Sequence, residues 1–195
     1  MFTGIIEDQG VVLGLEVNRG NLNITLSSKL TSEFKIDQSV SHNGICLTIV
    51  EIKGNAYTVT AIKETIAKTN IGKWQIGEVV NLERAMIIGA RLDGHMIQGH
   101  IDQVGECFKI DKTNGSWEYT FQYNPSDNLT VEKGSIAVNG ISLTVVRSDD
   151  NSFSVAIIPY TYNHTNFQNL TIGSVVNLEF DVLGKYLAKM LPKYQ

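Results

Sequence analysis

Three side chains in this sequence carry chemistry that sets them apart from matching positions elsewhere in the same chain. They are a thiol at Cys46, an imidazole at His100 and a carboxylate at Asp181. The segment Asn43-Gly44-Ile45-Cys46-Leu47-Thr48-Ile49-Val50 returns as Asn139-Gly140-Ile141-Ser142-Leu143-Thr144-Val145-Val146, with six of eight positions identical at a spacing of 96. Within that repetition Cys46 becomes Ser142, Ile5 becomes His100 and Ala85 becomes Asp181. A thiol or hydroxyl can add to an electrophilic ring, and an imidazole or carboxylate can move a proton. Each also has a bland alternative. Cys46 could be a small core residue, His100 could bond a backbone group, Asp181 could cap a terminal helix, and Thr48 and Thr144 could simply face water. Gly94-His95 and Gly99-His100 lie five apart, but no zinc motif forms without a third ligand, so no metal is expected. Two cysteines, Cys46 and Cys107, are too few for a disulfide framework.

The elements that hold these groups repeat with them. At the same spacing Thr65, Thr69-Asn70, Ile76-Gly77 and Val79-Val80-Asn81-Leu82-Glu83 meet Thr161, Thr165-Asn166, Ile172-Gly173 and Val175-Val176-Asn177-Leu178-Glu179, while Gly4-Ile5-Ile6-Glu7 meets Gly99-His100-Ile101-Asp102 with a one-residue slip. One module of about 90 residues is therefore written twice. Leu22–Leu26, Tyr57–Ala61, Val79–Glu83, Trp117–Phe121 and Ser152–Ala156 alternate or cluster apolar residues as strands do. Turn signals at Arg19-Gly20-Asn21, Lys53-Gly54-Asn55, Thr113-Asn114-Gly115 and Asp149-Asp150-Asn151 separate them. About six short strands per copy predict a mainly β chain of two small closed barrels. Short helices are expected near Lys29–Phe34 and near Ser126–Glu132. After the second copy, Leu183, Tyr186, Leu187, Met190 and Leu191 fall on one face of a helix, a stripe suited to its own barrel or to neighbouring subunits. The expected division is 1–95, 96–182 and a terminal helix at 183–195.

Composition narrows the function. The 195 residues are 43% hydrophobic, as in a folded globular chain, and carry a net charge of −4. A chain gripping phosphate backbones would carry a basic excess, so nucleic acid is not an expected partner. No apolar run is long enough to span a bilayer and no leader pattern opens the sequence, which predicts a cytoplasmic protein without a membrane partner.

Beyond the repeat, an ordered set of motifs resembles the riboflavin synthases. It comprises Met1-Phe2-Thr3-Gly4-Ile5-Ile6-Glu7, Asn43–Thr48, Lys63-Glu64-Thr65, Asn81-Leu82-Glu83-Arg84-Ala85, Gly94-His95-Met96-Ile97-Gln98-Gly99-His100-Ile101-Asp102 and Lys133–Thr144. The resemblance implies two similar six-stranded Greek-key β-barrels plus a C-terminal α-helix that joins three subunits. It implies that two molecules of 6,7-dimethyl-8-ribityllumazine exchange a four-carbon unit, giving riboflavin and a ribitylamino-pyrimidinedione without metal, flavin or nicotinamide cofactor. It places the active site between the N-terminal barrel of one subunit and the C-terminal barrel of another. Association with lumazine synthase is a partnership it leaves open.

Carried over residue by residue, the resemblance gives an N-terminal pocket of Gly4, Ile5, Ile6, Cys46, Leu47, Thr48, Thr60, Ala61, Ile62, Lys63, Glu64 and Thr65. The C-terminal pocket would hold Gly99, His100, Ile101, Ser142, Leu143, Thr144, Ala156, Ile157, Ile158, Pro159, Tyr160 and Thr161, with Lys133 reaching a ligand from the neighbouring chain. Ser39, Cys46, His100, Ser142, Thr144 and Asp181 match positions that assist chemistry in the family, and Phe2 matches an aromatic associated with its catalytic site. The implied chemistry starts at the acidic 7-methyl group of the substrate, with His100 as base and Ser142 or Thr144 in a relay. Departures from the commoner pattern are Asp93, Gln98, Asn139 and Tyr160. The rival class is a non-catalytic binder related to the lumazine proteins.

Overall fold

A computed structural model describes residues 1–113, 115–125 and 128–190. Alternating apolar residues in the first copy, such as Leu22, Ile24 and Leu26 against Tyr57, Val59 and Ala61, fold inward on a shared core. The strands are β1 (Asp8–Asn18), β2 (Asn21–Ser27), β3 (Ser39–His42), β4 (Ile45–Lys53), β5 (Ala56–Ala61) and β6 (Val79–Arg84). They close an antiparallel barrel in the order β1-β2-β5-β4-β3-β6. The second copy repeats it with β7 (Gln103–Thr113), β8 (Ser116–Tyr123), β9 (Ser135–Val138), β10 (Ile141–Ser148), β11 (Ser152–Ile157) and β12 (Val175–Phe180), in the equivalent closed order. Even the irregularities recur. Bulges interrupt β1–β2 at Val12/Gly14 and β7–β8 at Cys107/Lys109, and again β4–β5 at Ile49/Glu51 and β10–β11 at Val145/Arg147. Such bulges bend the strands enough to close a small barrel.

Helix α1 (Lys63–Lys68) and α2 (Pro159–His164) follow β5 and β11, and each leads into a 3-10 turn capped by a threonine hydroxyl, Thr69 or Thr165. The expected helix at Lys29–Phe34 is a 3-10 helix over Lys29–Glu33, capped by Ser28. Its anticipated counterpart is corrected. Residues 128–132 form no helix, while Ser126 and Asp127 lie outside the described residues, as does Asn114 of the expected turn. Lys133, with φ of +62°, makes a turn just before β9. Helix α3 (Val182–Met190) closes the chain, and Leu191 lies outside the described residues. Among the described residues, no helix is long and apolar enough to cross a membrane.

The barrels meet through a pair of turns that recurs in both copies. Asn43-Gly44 and Asn139-Gly140 each place two residues at positive φ (47° and 82°, 46° and 78°), the geometry of a tight hairpin turn. The two turns lie back to back, so close that a Cβ on Gly44 would stand 2.8 Å from the Gly140 nitrogen. Buried asparagines surround them with approximate two-fold symmetry. Asn81 Nδ2 donates to the Asn139 carbonyl at 3.1 Å and Asn177 Nδ2 to the Asn43 carbonyl at 2.9 Å. Asn166 N donates to Asn81 Oδ1 and Asn70 N to Asn177 Oδ1, both at 2.8 Å. A buried amide costs stability unless both its donor and acceptor ends are used, and here both are. Asn81→Asp keeps the shape but turns a donor into an anion facing a carbonyl. Chemical denaturation at pH 7 is expected to show a loss of roughly 2–4 kcal/mol, and an unchanged midpoint would contradict this account of the junction.

One buried group sets a pH dependence. The Val40 carbonyl can only accept, so His42 Nδ1 donates to it at 3.0 Å and His42 Nε2 accepts from the Tyr57 hydroxyl at 2.9 Å. Burial drops the His42 pKa from 6.5 to about 4. The unfolded chain therefore takes up this proton first as pH falls. The contribution is fully present above about pH 6.5 and is lost on descent toward pH 4, about 2–3 kcal/mol by pH 4.5. Denaturation midpoints at pH 7 and 4.5 should separate by that much more in the parent than in His42→Gln.

Candidate active site

Pleating decides which hairpin side chains can meet a ligand. In β3 and β4, Val40, Ile45, Leu47 and Ile49 point into the first core, so Ser39, Ser41, Cys46 and Thr48 lie on the outer face, with Ser39 opposite Thr48 and Ser41 opposite Cys46. In β9 and β10 the same alternation turns Ser135, Ala137, Ser142 and Thr144 outward. The candidate site is thus on the outside of each barrel, where the segment preceding the other module lies across it.

That segment covers the opposite barrel. Gly4 O accepts from Ser142 N, and Gly99 O accepts from Cys46 N, both at 2.9 Å. Ile6 packs on the second core and Ile101 on the first. Contact is tight enough to demand glycine: a Cβ on Gly99, whose φ is +83°, would stand 2.5 Å from Cys46 Cβ. The expected grouping is therefore corrected within one chain. Gly4, Ile5 and Ile6 belong beside Ser142, and Gly99, His100 and Ile101 beside Cys46. Sequence comparison pairs equivalent segments, but the crossover exchanges their hosts.

Two buried carboxylates hold the crossover. Glu83 accepts from Thr3 N at 2.6 Å, Thr3 Oγ1 at 2.7 Å and Gly4 N at 2.9 Å. Glu179 accepts from Gln98 N at 2.6 Å and from Gly99 N and His100 N at 2.9 Å. Burial pushes both pKa values up, and the N–H donors pull back toward the ionised form. Both glutamates end the repeated Asn-Leu-Glu, a signal present in the sequence as a repeat and a family motif but not assigned this role.

A cleft of about 670 Å³ follows on the first barrel. Cys46, Ile62, Glu64 and Thr65 line one side, Gly99, His100, Ile101 and Asp102 the other, with Lys185 of α3 at its edge. On the second barrel, Ile5, Ile158 and Tyr160 are exposed, and Tyr160 stacks on His164 at 4.1 Å between ring centroids. Here the histidine partner is one that sequence reasoning left aside. His95 Nδ1 lies 2.7 Å from Ser142 Oγ, which corrects the expected His100–Ser142 relay inside a single chain. Burial lowers the His95 pKa, and the nearby Asp181 charge opposes that shift. The signal was available in Gly94-His95, which copies Gly99-His100 five residues upstream. Asp181 accepts from Leu183 N at 2.9 Å, so it also caps α3.

Other expected residues divide by burial. Phe2, Leu47, Ala61, Leu143 and Ile157 are buried, so they can offer a ligand main chain but not side chain. Phe2 pairs with Ile97 through two backbone hydrogen bonds, and a Cβ on Gly99 would lie 2.9 Å from its ring. It is therefore a buried wedge beneath the crossover. Thr60 donates to Asn23 Oδ1 at 2.8 Å. Thr48, Thr144, Ile62, Lys63, Glu64, Lys133, Ala156, Ile158, Pro159 and Tyr160 are exposed, and Ser39, Thr65 and Thr161 are half-buried. Among the described residues, no group of three or more His, Cys, Asp or Glu could hold a metal ion. Glu179→Gln should loosen the His100 segment, costing roughly 1–3 kcal/mol of stability and weakening ligand binding in the cleft; denaturation and ligand titration read the two effects. Parent-like values in both would remove Glu179 from this role.

Comparison with known proteins agrees with this architecture. The lumazine binding domain family matches residues 3–85 and 98–181. Riboflavin synthase of Actinobacillus pleuropneumoniae is 40% identical over 99% of this chain and 91% of its own length; that of Bacillus subtilis is 37% identical over the same shares. Riboflavin synthase of Mycobacterium tuberculosis strain H37Rv is 37% identical over 98% of each. Crystal structures of LumP complexed with 6,7-dimethyl-8-(1'-D-ribityl) lumazine and with riboflavin share the fold, at TM-scores of 0.83 and 0.85 over 92% of this chain and 98% and 99% of theirs, with 23% and 22% identity. Two lumazine-binding modules in tandem and relatives matched across nearly the whole chain lead to one conclusion: this chain belongs to the riboflavin synthase family of transferase enzymes.

Proposed function

We propose that the chain converts two molecules of 6,7-dimethyl-8-ribityllumazine into riboflavin and 5-amino-6-(D-ribitylamino)uracil by transfer of a four-carbon unit. Two identical reactants balance the two products atom for atom, so the chemistry calls for no external oxidant or reductant. The observation that carries the reading is the pair of related outer-face sites, one at Cys46 and His100 and one at Ser142 and His95. A reaction between two copies of one compound is served by two sites of one design.

Both sites open outward, so bringing two rings face to face needs a second copy of the chain. Helix α3 supplies a means. Leu183, Tyr186, Leu187 and Met190 are 60%, 66%, 61% and 77% exposed and share one face. A homotrimer joined through these helices would set the first-barrel site of one protomer against the second-barrel site of another. There His100 of one chain could act together with Ser142 or Thr144 of its neighbour, which restores the relay as an intersubunit one. Exposed Lys133 would reach across the same boundary.

In this arrangement His100 takes a proton from the 7-methyl group of one ring, whose carbanion the heterocycle delocalises. Cys46, Ser39 or water adds to the other ring and makes it the acceptor. Holding the rings in opposed register accounts for most of the acceleration, since effective molarity is worth roughly 7–11 kcal/mol. Purified protein mixed with the lumazine should form one riboflavin for every two substrate molecules consumed. Binding without turnover would favour a chromophore carrier instead. His100→Ala should slow turnover by roughly 10²–10⁴-fold while leaving lumazine affinity within a few-fold; unchanged turnover would take His100 out of the chemistry.

A further inference from the structure

The two crossovers are neutralised differently. After the first, Glu7 pairs with Arg84 at the end of β6, a residue of the same barrel sheet. After the second, the equivalent acid is Asp102, and the position matching Arg84 is Phe180, which has no charge to give. Phe180 offers only its backbone, donating to Asp102 Oδ2 at 2.9 Å. The cation comes from outside both modules. Lys185 Nζ of α3 lies 2.7 Å from Asp102 Oδ1 and 2.6 Å from Oδ2.

This ion pair is more enclosed than the surface pairs around it. The Lys185 and Asp102 side chains are only 24% and 17% exposed. Asp102 follows His100 by two residues, and the His100 N–H is itself held by Glu179. Two carboxylates therefore brace the His100 segment, and the positive charge of Lys185 acts on both, pulling the Glu179 pKa down against burial. Lys185, Asp102 and His100 line the same cleft as Cys46. Helix α3 has nine residues, too few to be stable alone, so its place depends on such tethers.

We propose that Lys185 is a positioning residue for the reaction: through its two-oxygen contact with Asp102, α3 holds the His100 segment against the Cys46 face of the cleft. The proposal deepens the reading of this site as a lumazine-converting one. It differs from a general stabilising role because it acts on the lie of Gly99 over Cys46. Removing the cation leaves Asp102 partly buried without its partner, a state that relaxes by moving the acid toward water and the crossover with it.

The test uses the full chain and the variants Lys185→Gln, Lys185→Arg and Asp102→Asn, with two readouts. One is riboflavin formation, as kcat and KM. The other is the rate at which Cys46 reacts with a disulfide reagent under native conditions; Cys107 is fully buried and its thiol pKa is pushed up to about 11, so labelling reports Cys46. Lys185→Gln should lower kcat/KM and raise the Cys46 labelling rate, each by roughly tenfold or more. Lys185→Arg should return both to within about threefold of the parent, because a guanidinium grips a carboxylate bidentately. Asp102→Asn should reproduce Lys185→Gln even where that variant folds poorly. Parent-like labelling in both Lys185→Gln and Asp102→Asn would overturn the proposal, as would a Lys185→Arg no better than Lys185→Gln. A parent that forms no riboflavin would instead overturn the reading of the reaction, while the labelling comparison would still decide the role of Lys185.

Discussion

A carboxylate buried in a protein is costly, and this chain buries two in equivalent places because each collects three hydrogen-bond donors from a segment that has no strand of its own. Glu83 fixes Thr3 and Gly4, and Glu179 fixes Gln98, Gly99 and His100. Without these acceptors the lead-in segments would leave backbone N–H groups unsatisfied against a covered sheet face. With them, the segments become a fixed lid strip across the outer surface of the other barrel. Placement of His100 beside Cys46, and of Gly4 beside Ser142, follows from that single arrangement. Burial pushes both carboxylate pKa values up while the N–H donors pull them back, so each acid depends on the crossover geometry that supplies those donors.

The crossover only works if the barrels cannot drift, and the asparagine junction supplies that restraint. Its groups come from both copies, so neither half can complete its own hydrogen bonds. Asn81 of the first copy serves Asn139 and Asn166 of the second, and Asn177 of the second serves Asn43 and Asn70 of the first. A junction of apolar side chains would tolerate sliding. One made of directional amide bonds around two touching glycine turns fixes a unique angle and register. The same Asn-Gly turns also aim β4 and β10, so one pair of residues per copy sets both the interface and the outward direction of Cys46 and Ser142.

Much of this was legible in the sequence, and the reasons are specific. The alternation of Leu22, Ile24 and Leu26, and of Tyr57, Val59 and Ala61, is a local pattern that a half-buried strand imposes, so the barrels could be read directly. The repeat at Asn43–Val50 and Asn139–Val146 announced two copies of one unit. It could not announce whose surface Gly4 or Gly99 covers, because equivalence between segments says nothing about exchange between hosts. Equivalence of segments therefore groups Gly4 with Cys46 and Gly99 with Ser142, whereas the fold sets Gly4 beside Ser142 and Gly99 beside Cys46. His95 was passed over because its neighbour His100 filled the same motif at the expected place, whereas contact with Ser142 depends on three-dimensional proximity alone. The helix expected before β9 failed for another reason: the module's first copy caps its turn with Ser28 tied to the Asp8 carboxylate, whereas strand register puts Gln103 at the position of Asp8 in the second copy, so that carboxylate is not there to anchor the turn.

Duplication leaves two sites alike, and the changes that distinguish them lie where chemistry would ask for a difference. Cys46 and Ser142 occupy one outer-face position, His100 and Ile5 one crossover position, and Arg84 and Phe180 one strand end. Phe180 adds to the second core, packing edge-on against Tyr123, while none of these exchanges touches the bulges or the asparagine junction. The fold therefore keeps two equivalent cradles for similar rings while the groups at their rims diverge. A symmetric pair would treat its two occupants identically, so neither would be biased to give carbon and the other to receive it. Phe180 in place of an arginine makes the second crossover depend on a lysine from α3, the element that belongs to neither copy. The asymmetry thus begins at single side chains and extends to the one helix that the duplication did not supply.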